Sequence, residues 1–176
     1  MKLNLDADMI YVIASFHDLG KYINHDIHEK IAEDIFFKDE KIKNYFTDIQ
    51  RKEIKEAIED HRSSFSDTPR SIYGKLISSA DRNSSIEIVF KRSFFVGMVR
   101  TPEMSIDDYL DFTFKRLTKR YSEETPENMF FEDQRYKTFL IDMRNLLKNE
   151  EQFKKKYCEI NNITTREKNV GDYERE

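Results

Sequence analysis

The chain has little of what tight turns and covalent cross-links require. Its 176 residues include four glycines, three prolines and a single cysteine, Cys158. Sheet proteins with many tight turns usually need more glycine and proline, so the shortage favours helices. One cysteine excludes an intrachain disulfide, and the composition suits a reducing compartment. We therefore expect an all-α, cytoplasmic protein.

Long apolar runs and a strong excess of one charge are also missing. No run of about 18 apolar residues occurs, which predicts a protein without a membrane span. The start, MKLNLDADMIYVIASF, lacks the pattern of a signal peptide. Thirty basic and 34 acidic residues leave a net charge of −4, so nothing indicates a surface for duplex nucleic acid. A small anionic substrate is still compatible with this net charge, because a local metal ion or arginine can make the binding site positive.

Aromatic residues are plentiful, with 14 phenylalanines and 9 tyrosines, and they predict a packed core. The length fits one domain, which we expect over residues 1–163, with a motif-bearing core at 8–99 and C-terminal helices at 105–162. Residues 164–176 are almost free of apolar side chains and predict a mobile tail. Apolar periodicity and capping residues predict nine helices: Asp8–Leu19, Asp26–Phe37, Lys38–Phe46, Asp48–His61, Ile72–Ala80, Ser85–Met98, Ser105–Tyr121, Glu132–Leu147 and Asn149–Asn161.

Histidines beside carboxylates are the candidate site residues. A divalent ion of the zinc type takes neutral imidazole nitrogens and carboxylate oxygens. Neighbouring side chains on a helix point about 100° apart, so His17 and Asp18 reach one ion only near a helix end, which Gly20 would supply. All four histidines adjoin an acidic residue, and three of them do so in predicted helix or helix-end positions, in the pairs His17–Asp18, His28–Glu29 and Asp60–His61; the fourth is His25.

Taken singly, each of these residues has a simpler interpretation. A His-Asp dipeptide is common by chance, and His61 on an apolar stripe is typical of a buried core histidine. His25 fits a solvated loop residue, and Asp81 fits a helix cap or a partner for Arg82. Only the order and context of these residues, taken together, favour a metal site.

That order resembles the HD-domain superfamily of metal-dependent phosphohydrolases. The resemblance is carried by HDLGKY, HEKIAEDIF, EAIEDHR and SSADR, in this order between His17 and Arg82. The later segments, from KRSFFVG to NEEQF, are similar to the C-terminal half of bacterial HD proteins. The resemblance implies a helical bundle of the HD-domain type.

The resemblance also implies roles for single residues. His17 and Asp18 would be paired metal ligands and Asp81 a distal ligand, while His28 and His61 would join Asp18 around a second ion. The ion would be a divalent metal, with iron, manganese, zinc, nickel and magnesium as candidates. The activity would be hydrolysis of a small phosphate ester, such as a nucleotide, by water that the ion activates. Asp18 would also orient this water, and Lys21, Arg82 and, more weakly, Arg62 would meet the phosphate.

One departure from the family pattern changes what we expect. The pattern begins with a histidine on an earlier helix, whereas none of the 16 residues before His17 is histidine. We expect that helix to be absent, the side formed by Asp18, His28 and His61 to be the better retained metal site, and uncovered apolar surface to favour a homodimer. Two alternatives stay open: a degenerate HD domain that binds a ligand or a partner protein without catalysis, and a plain helical scaffold.

Overall fold

The computed structural model describes residues 4–62, 68–125, 129–164 and 168–173. The regular elements within these ranges are all α-helices or 3-10 helices, which confirms the all-α class. Among the same residues, no helix is both long and apolar enough to cross a membrane. The eight α-helices are α1 (Ala7–Phe16), α2 (His28–Lys38), α3 (Asp48–Asp60), α4 (Ile72–Ala80), α5 (Ile86–Arg100), α6 (Ile106–Arg120), α7 (Gln134–Leu147) and α8 (Glu150–Ile160).

The chain forms two compact units. The first contains Met1–Arg82 together with Asn128–Glu132, and the second contains Asn83–Glu127 together with Asp133–Glu176. Helices α1 to α4 belong to the first unit, and α5 to α8 belong to the second. A single domain over residues 1–163 stays a prediction.

The first unit has its own apolar core beneath its helix ends. Side-chain caps begin three of its four α-helices: Asp6 accepts from backbone N–H groups of α1, Thr47 forms a capping box with Gln50 at α3, and Ser71 accepts from the backbone N–H of Gly74 at α4. Apolar residues at helical spacing then turn one face of each helix inward. The buried core residues are Met9, Ile13, Ala32, Phe36, Ile54, Ala57, Ile58 and Tyr73.

Two local predictions in the first unit were wrong. Helix α1 ends at Phe16 rather than at Leu19, and a 3-10 turn over Leu19–Tyr22 follows it. The predicted helix Lys38–Phe46 is reduced to a 3-10 turn at Ile42–Asn44. Here the Asp39 side chain accepts hydrogen bonds from the backbone N–H groups of the second and third residues after it, which competes with helix formation. Most of the predicted loop SSFSDTPRS lies outside the described residues.

The second unit differs from expectation near its C-terminal end. Residues 168–173 were predicted to belong to a mobile tail, but Val170 is fully buried. Its backbone N–H donates to the carbonyl of Met104 at 2.9 Å, and the N–H of Gly171 donates to Pro102 at 3.0 Å. The buried Val170, these two hydrogen bonds and the contact of the Tyr173 ring with Phe94 hold this turn against the unit.

Gly20 is required for a close approach within the first unit. A Cβ added at this position would lie 2.0 Å from the carbonyl oxygen of His28, at the start of α2. Because the obstacle is backbone, Gly20→Ala should displace this turn from α2 and lower the free energy of unfolding by about 1–3 kcal/mol. Chemical denaturation would measure the loss, and Leu19→Ala, in the same turn at a half-exposed position, is the control. Equal stability of Gly20→Ala and wild type would contradict this packing.

Candidate metal centre

The candidate ligands all lie at helix ends of the first unit. His17 follows the last residue of α1 and Asp18 comes next, while His28 is the first residue of α2. His61 and Asp81 directly follow the last residues of α3 and α4, respectively. Helix ends let neighbouring side chains point in a common direction, which a continuous helix does not allow. The fold therefore brings together five side chains that are distant in the sequence.

Three of these side chains place buried ligand atoms close together, and we call them the inner cluster: Asp18, His28 and His61. The two Nε2 atoms of the histidines are 3.2 Å apart. Oδ1 of Asp18 lies 3.6 Å from Nε2 of His61 and 3.8 Å from Nε2 of His28. Both imidazoles are buried, with 4% of His28 and 2% of His61 exposed. Little water therefore reaches the point that the three atoms face.

Backbone carbonyls fix which nitrogen of each inner imidazole carries the hydrogen. Nδ1 of His28 lies 2.8 Å from the carbonyl oxygen of His25, and Nδ1 of His61 lies 2.6 Å from that of Ile58. A carbonyl can only accept, so each neutral ring has its hydrogen on Nδ1 and a lone pair on Nε2. The buried Oδ1 of Asp18 receives no hydrogen bond from the described residues. Three lone pairs thus face one point with no hydrogen between them.

A divalent ion fits this arrangement. Ligand atoms about 2.0–2.1 Å from an ion, at angles of about 90–109°, are about 2.9–3.4 Å apart. The 3.2 Å between the two Nε2 atoms lies within this range, and the Asp18 oxygen is only a few tenths of an ångström farther out. An ion would also satisfy the buried oxygen, whose isolation otherwise costs free energy.

A second, more open group lies on the other side of Asp18, and we call it the outer cluster: His17, Asp18 and Asp81. Nε2 of His17 is 3.6 Å from Oδ2 of Asp18 and 3.9 Å from Oδ1 of Asp81. Nδ1 of His17 lies 2.8 Å from the carbonyl of Ala14, so this ring also turns its lone pair to the cluster. Asp18 thus offers one oxygen to each cluster, as a carboxylate that bridges two ions does.

Electrostatics keeps the inner cluster in the protonation state that a metal needs. Burial raises the pKa of the Asp18 carboxyl, but interactions with the His61 and His17 side chains and with the Lys21 ammonium outweigh burial and hold this pKa well below its usual range. Burial lowers the pKa of His28, and this effect prevails over its hydrogen bond to the His25 carbonyl. Near neutral pH the carboxylate is therefore ionised and the His28 ring is neutral.

The residues predicted to meet a phosphate have different surroundings. Nζ of Lys21 lies 2.5 Å from Oδ2 of Asp18, so this ammonium borders the outer cluster. Arg82 directly follows Asp81, and its backbone N–H donates to the carbonyl of Ser79. Arg62, the weaker candidate, turns instead to Glu29. A phosphate role for Lys21 and Arg82 stays a prediction.

Two residues near the clusters, His25 and Glu29, can be compared with what the sequence indicated for them. The side chain of His25 is 59% exposed and belongs to neither cluster, as expected for a solvated residue, but His25 begins a 3-10 turn over His25–Ile27 and is not in a loop. Glu29 was only noted as a neighbour of His28, yet it is 2% exposed and its Oε2 lies 3.4 Å from Nδ1 of that histidine. In the sequence, only its position directly after the candidate ligand His28 could have pointed to a role near the site.

Comparison with known protein families identifies the part of the chain that carries the site. Residues 1–85 match the family model described as HD domain. This range contains both clusters and ends three residues after Arg82. Searches of curated proteins and of solved structures gave no match.

Metal binding should depend on the inner cluster and not on the nearby exposed histidine. We expect His61→Ala and Asp18→Ala to lose most of the affinity for zinc or manganese, because each removes one of three donor atoms. Titration of the metal-free full chain in competition with a chelator would measure the affinity. His25→Ala is the matched control and should bind like wild type; equal affinity in all three variants would exclude the inner cluster.

Stability of the metal-free protein should fall on acidification. The unfolded chain takes up a proton on His28 near the ordinary histidine pKa of about 6.5, whereas the folded chain resists protonation down to lower pH. Acidification from about pH 7 to pH 5 therefore favours unfolding. Denaturation curves measured at several pH values give the free energy of unfolding. This free energy should change less between pH 7 and pH 5 in His28→Gln than in wild type, and His25→Ala should behave like wild type. A wild-type stability that rises towards pH 5 would contradict the assignment.

Proposed function

Residues 1–85 match the HD-domain family model, and on that basis we propose that the protein is a metal-dependent phosphohydrolase that cleaves a small phosphate ester, such as a nucleotide. HD domains as a family bind divalent metals and act on phosphate substrates. The observation that carries the proposal for this chain is the inner cluster, where three buried donor atoms face one point without a hydrogen between them.

The metal would be held by residues of both clusters, with Asp18 shared between them. When bound, a divalent ion supplies a water of lowered pKa and neutralises charge on phosphoryl oxygens. Iron, manganese, zinc, nickel and magnesium remain the candidates.

Asp18 would act as a ligand rather than as a proton acceptor. Its pKa lies well below the usual range, and a carboxylate of low pKa is a weak general base. Nδ1 of His17 is engaged with a backbone carbonyl, so that ring also serves to hold and orient. Lys21 would supply positive charge beside the outer cluster, where a phosphoryl oxygen gains negative charge during the reaction.

The openness of the outer cluster also supports a second candidate function. Asp81 has 43% of its side chain exposed, and the Lys21 ammonium is already paired with Asp18. A site of this kind would bind a phosphorylated ligand next to one ion without cleaving it. A degenerate, non-catalytic HD domain is therefore the alternative to hydrolysis.

Phosphate release should require both a divalent ion and the His-Asp pair. We expect the purified chain, loaded with manganese, to release phosphate from nucleotides or from an aryl phosphate, and His17→Ala and Asp18→Ala to lower the rate at least about 100-fold by removing metal ligands. Steady-state phosphate release would be measured, with His25→Ala as the control. Hydrolysis that survives chelation and both substitutions would reject the proposal; tight nucleotide binding without turnover would support the alternative.

A further inference from the structure

A buried ion pair lies next to the inner cluster without contributing a metal ligand. Nη1 of Arg62 lies 3.3 Å from Oε1 and 3.2 Å from Oε2 of Glu29. The same nitrogen donates to the backbone carbonyl of Asp26, just before α2. Glu29 is 2% exposed, whereas 29% of the Arg62 side chain is exposed. The arginine therefore reaches from the end of α3 to the first turn of α2.

The pair follows the two inner histidines in register. Glu29 comes directly after His28 and Arg62 directly after His61, so both contacts join residues 33 positions apart. The first contact joins two Nε2 atoms, and the second joins a carboxylate to a guanidinium. The Glu29–Arg62 pair thus ties together the two chain segments that carry the inner imidazoles, one residue beyond each.

The inner imidazoles need such a tie. Two lone pairs 3.2 Å apart repel each other when no cation lies between them, and His61 stands at the end of its helix. A charged Glu29 cannot stay buried without its partner, because an unpaired buried charge costs several kcal/mol. Oε2 of Glu29 also lies 3.4 Å from Nδ1 of His28, where a negative charge favours the hydrogen on that nitrogen.

We propose that Glu29 and Arg62 are positioning residues that hold His28 and His61 at the separation of two metal ligands, and so set the affinity of the inner cluster for its ion. The inference rests on the proposed metal-dependent function, but its readout is metal affinity. A chain that binds metal and does not hydrolyse phosphate esters tests it equally well.

The chain offers a matched control on the same two helices. Nζ of Lys55 in α3 lies 2.6 Å from Oε1 of Glu33 in α2. This pair joins α2 to α3 as the Glu29–Arg62 pair does, but neither of its residues adjoins a histidine. Loss of either ion pair weakens the contact between α2 and α3, but only the Glu29–Arg62 pair borders the inner cluster.

The experiment measures zinc affinity of the metal-free full chain by chelator competition. Glu29→Gln, Arg62→Gln and the double variant are compared with Glu33→Gln, Lys55→Gln and their double variant. We expect zinc binding to weaken about 10–100-fold in each Glu29 and Arg62 variant, as when outer-shell partners of metal ligands are removed. The double variant should resemble the single ones, because the two residues act as a unit. The control variants should stay within about twofold of wild type.

A second measurement separates positioning from loss of folding. The absorption bands of bound cobalt report the coordination geometry, and they should change in Arg62→Lys, which keeps the charge and loses the planar group that reaches both Glu29 and Asp26. The bands should be the same in wild type and in the Lys55 variant. Because it uses Arg62→Lys, the cobalt spectrum tests the positioning role even if Glu29→Gln does not fold.

The outcomes that overturn the inference differ from those that overturn the proposed function. Wild-type affinity in Glu29→Gln and Arg62→Gln, or an equal loss in the Glu33 and Lys55 variants, would overturn the positioning role alone. Absence of metal binding in the wild-type chain would overturn the proposed function and the inference with it.

Discussion

The candidate metal centre of the first unit depends on two imidazole nitrogens and one carboxylate oxygen that face each other with no hydrogen to share. Each inner ring donates its hydrogen to a backbone carbonyl and leaves a lone pair directed inward. A buried oxygen without a partner costs about 1–3 kcal/mol, so the arrangement is unfavourable until a cation enters. The apolar core beneath the helix ends and the Glu29–Arg62 pair hold these atoms in place.

This constraint explains why the ligands lie at helix ends. Inside a helix, the backbone fixes the direction of each side chain, and neighbouring side chains point about 100° apart. At a helix end the backbone leaves this geometry, so neighbouring side chains can point towards one ion. Helix α1 ends at Phe16, which lets His17 serve the outer cluster while Asp18 reaches both clusters. Gly20 then lets the chain pass directly over the start of α2. The geometry of the candidate site therefore depends on where each helix stops as much as on which residues it carries.

Much of this could be predicted from the sequence, because its signals were local. The periodicity of apolar residues gave the helical class and the bounds of α4, and the order of the His and Asp motifs indicated which five side chains to examine together. Other features depended on tertiary contacts. The burial of Glu29 and its pairing with Arg62 follow from how α2 meets α3. Likewise, the docking of Val170 depends on backbone groups more than 60 positions earlier in the chain.

The central claim is that the inner cluster holds a metal ion through two imidazoles and one carboxylate. X-ray absorption spectroscopy of the zinc-loaded full chain tests it most directly. The structure predicts at least two imidazole nitrogens at about 2.0–2.1 Å and at least one carboxylate oxygen at about 2.0–2.2 Å in the first coordination shell. A shell built only of oxygen atoms, without the outer scattering of imidazole rings, would contradict the account.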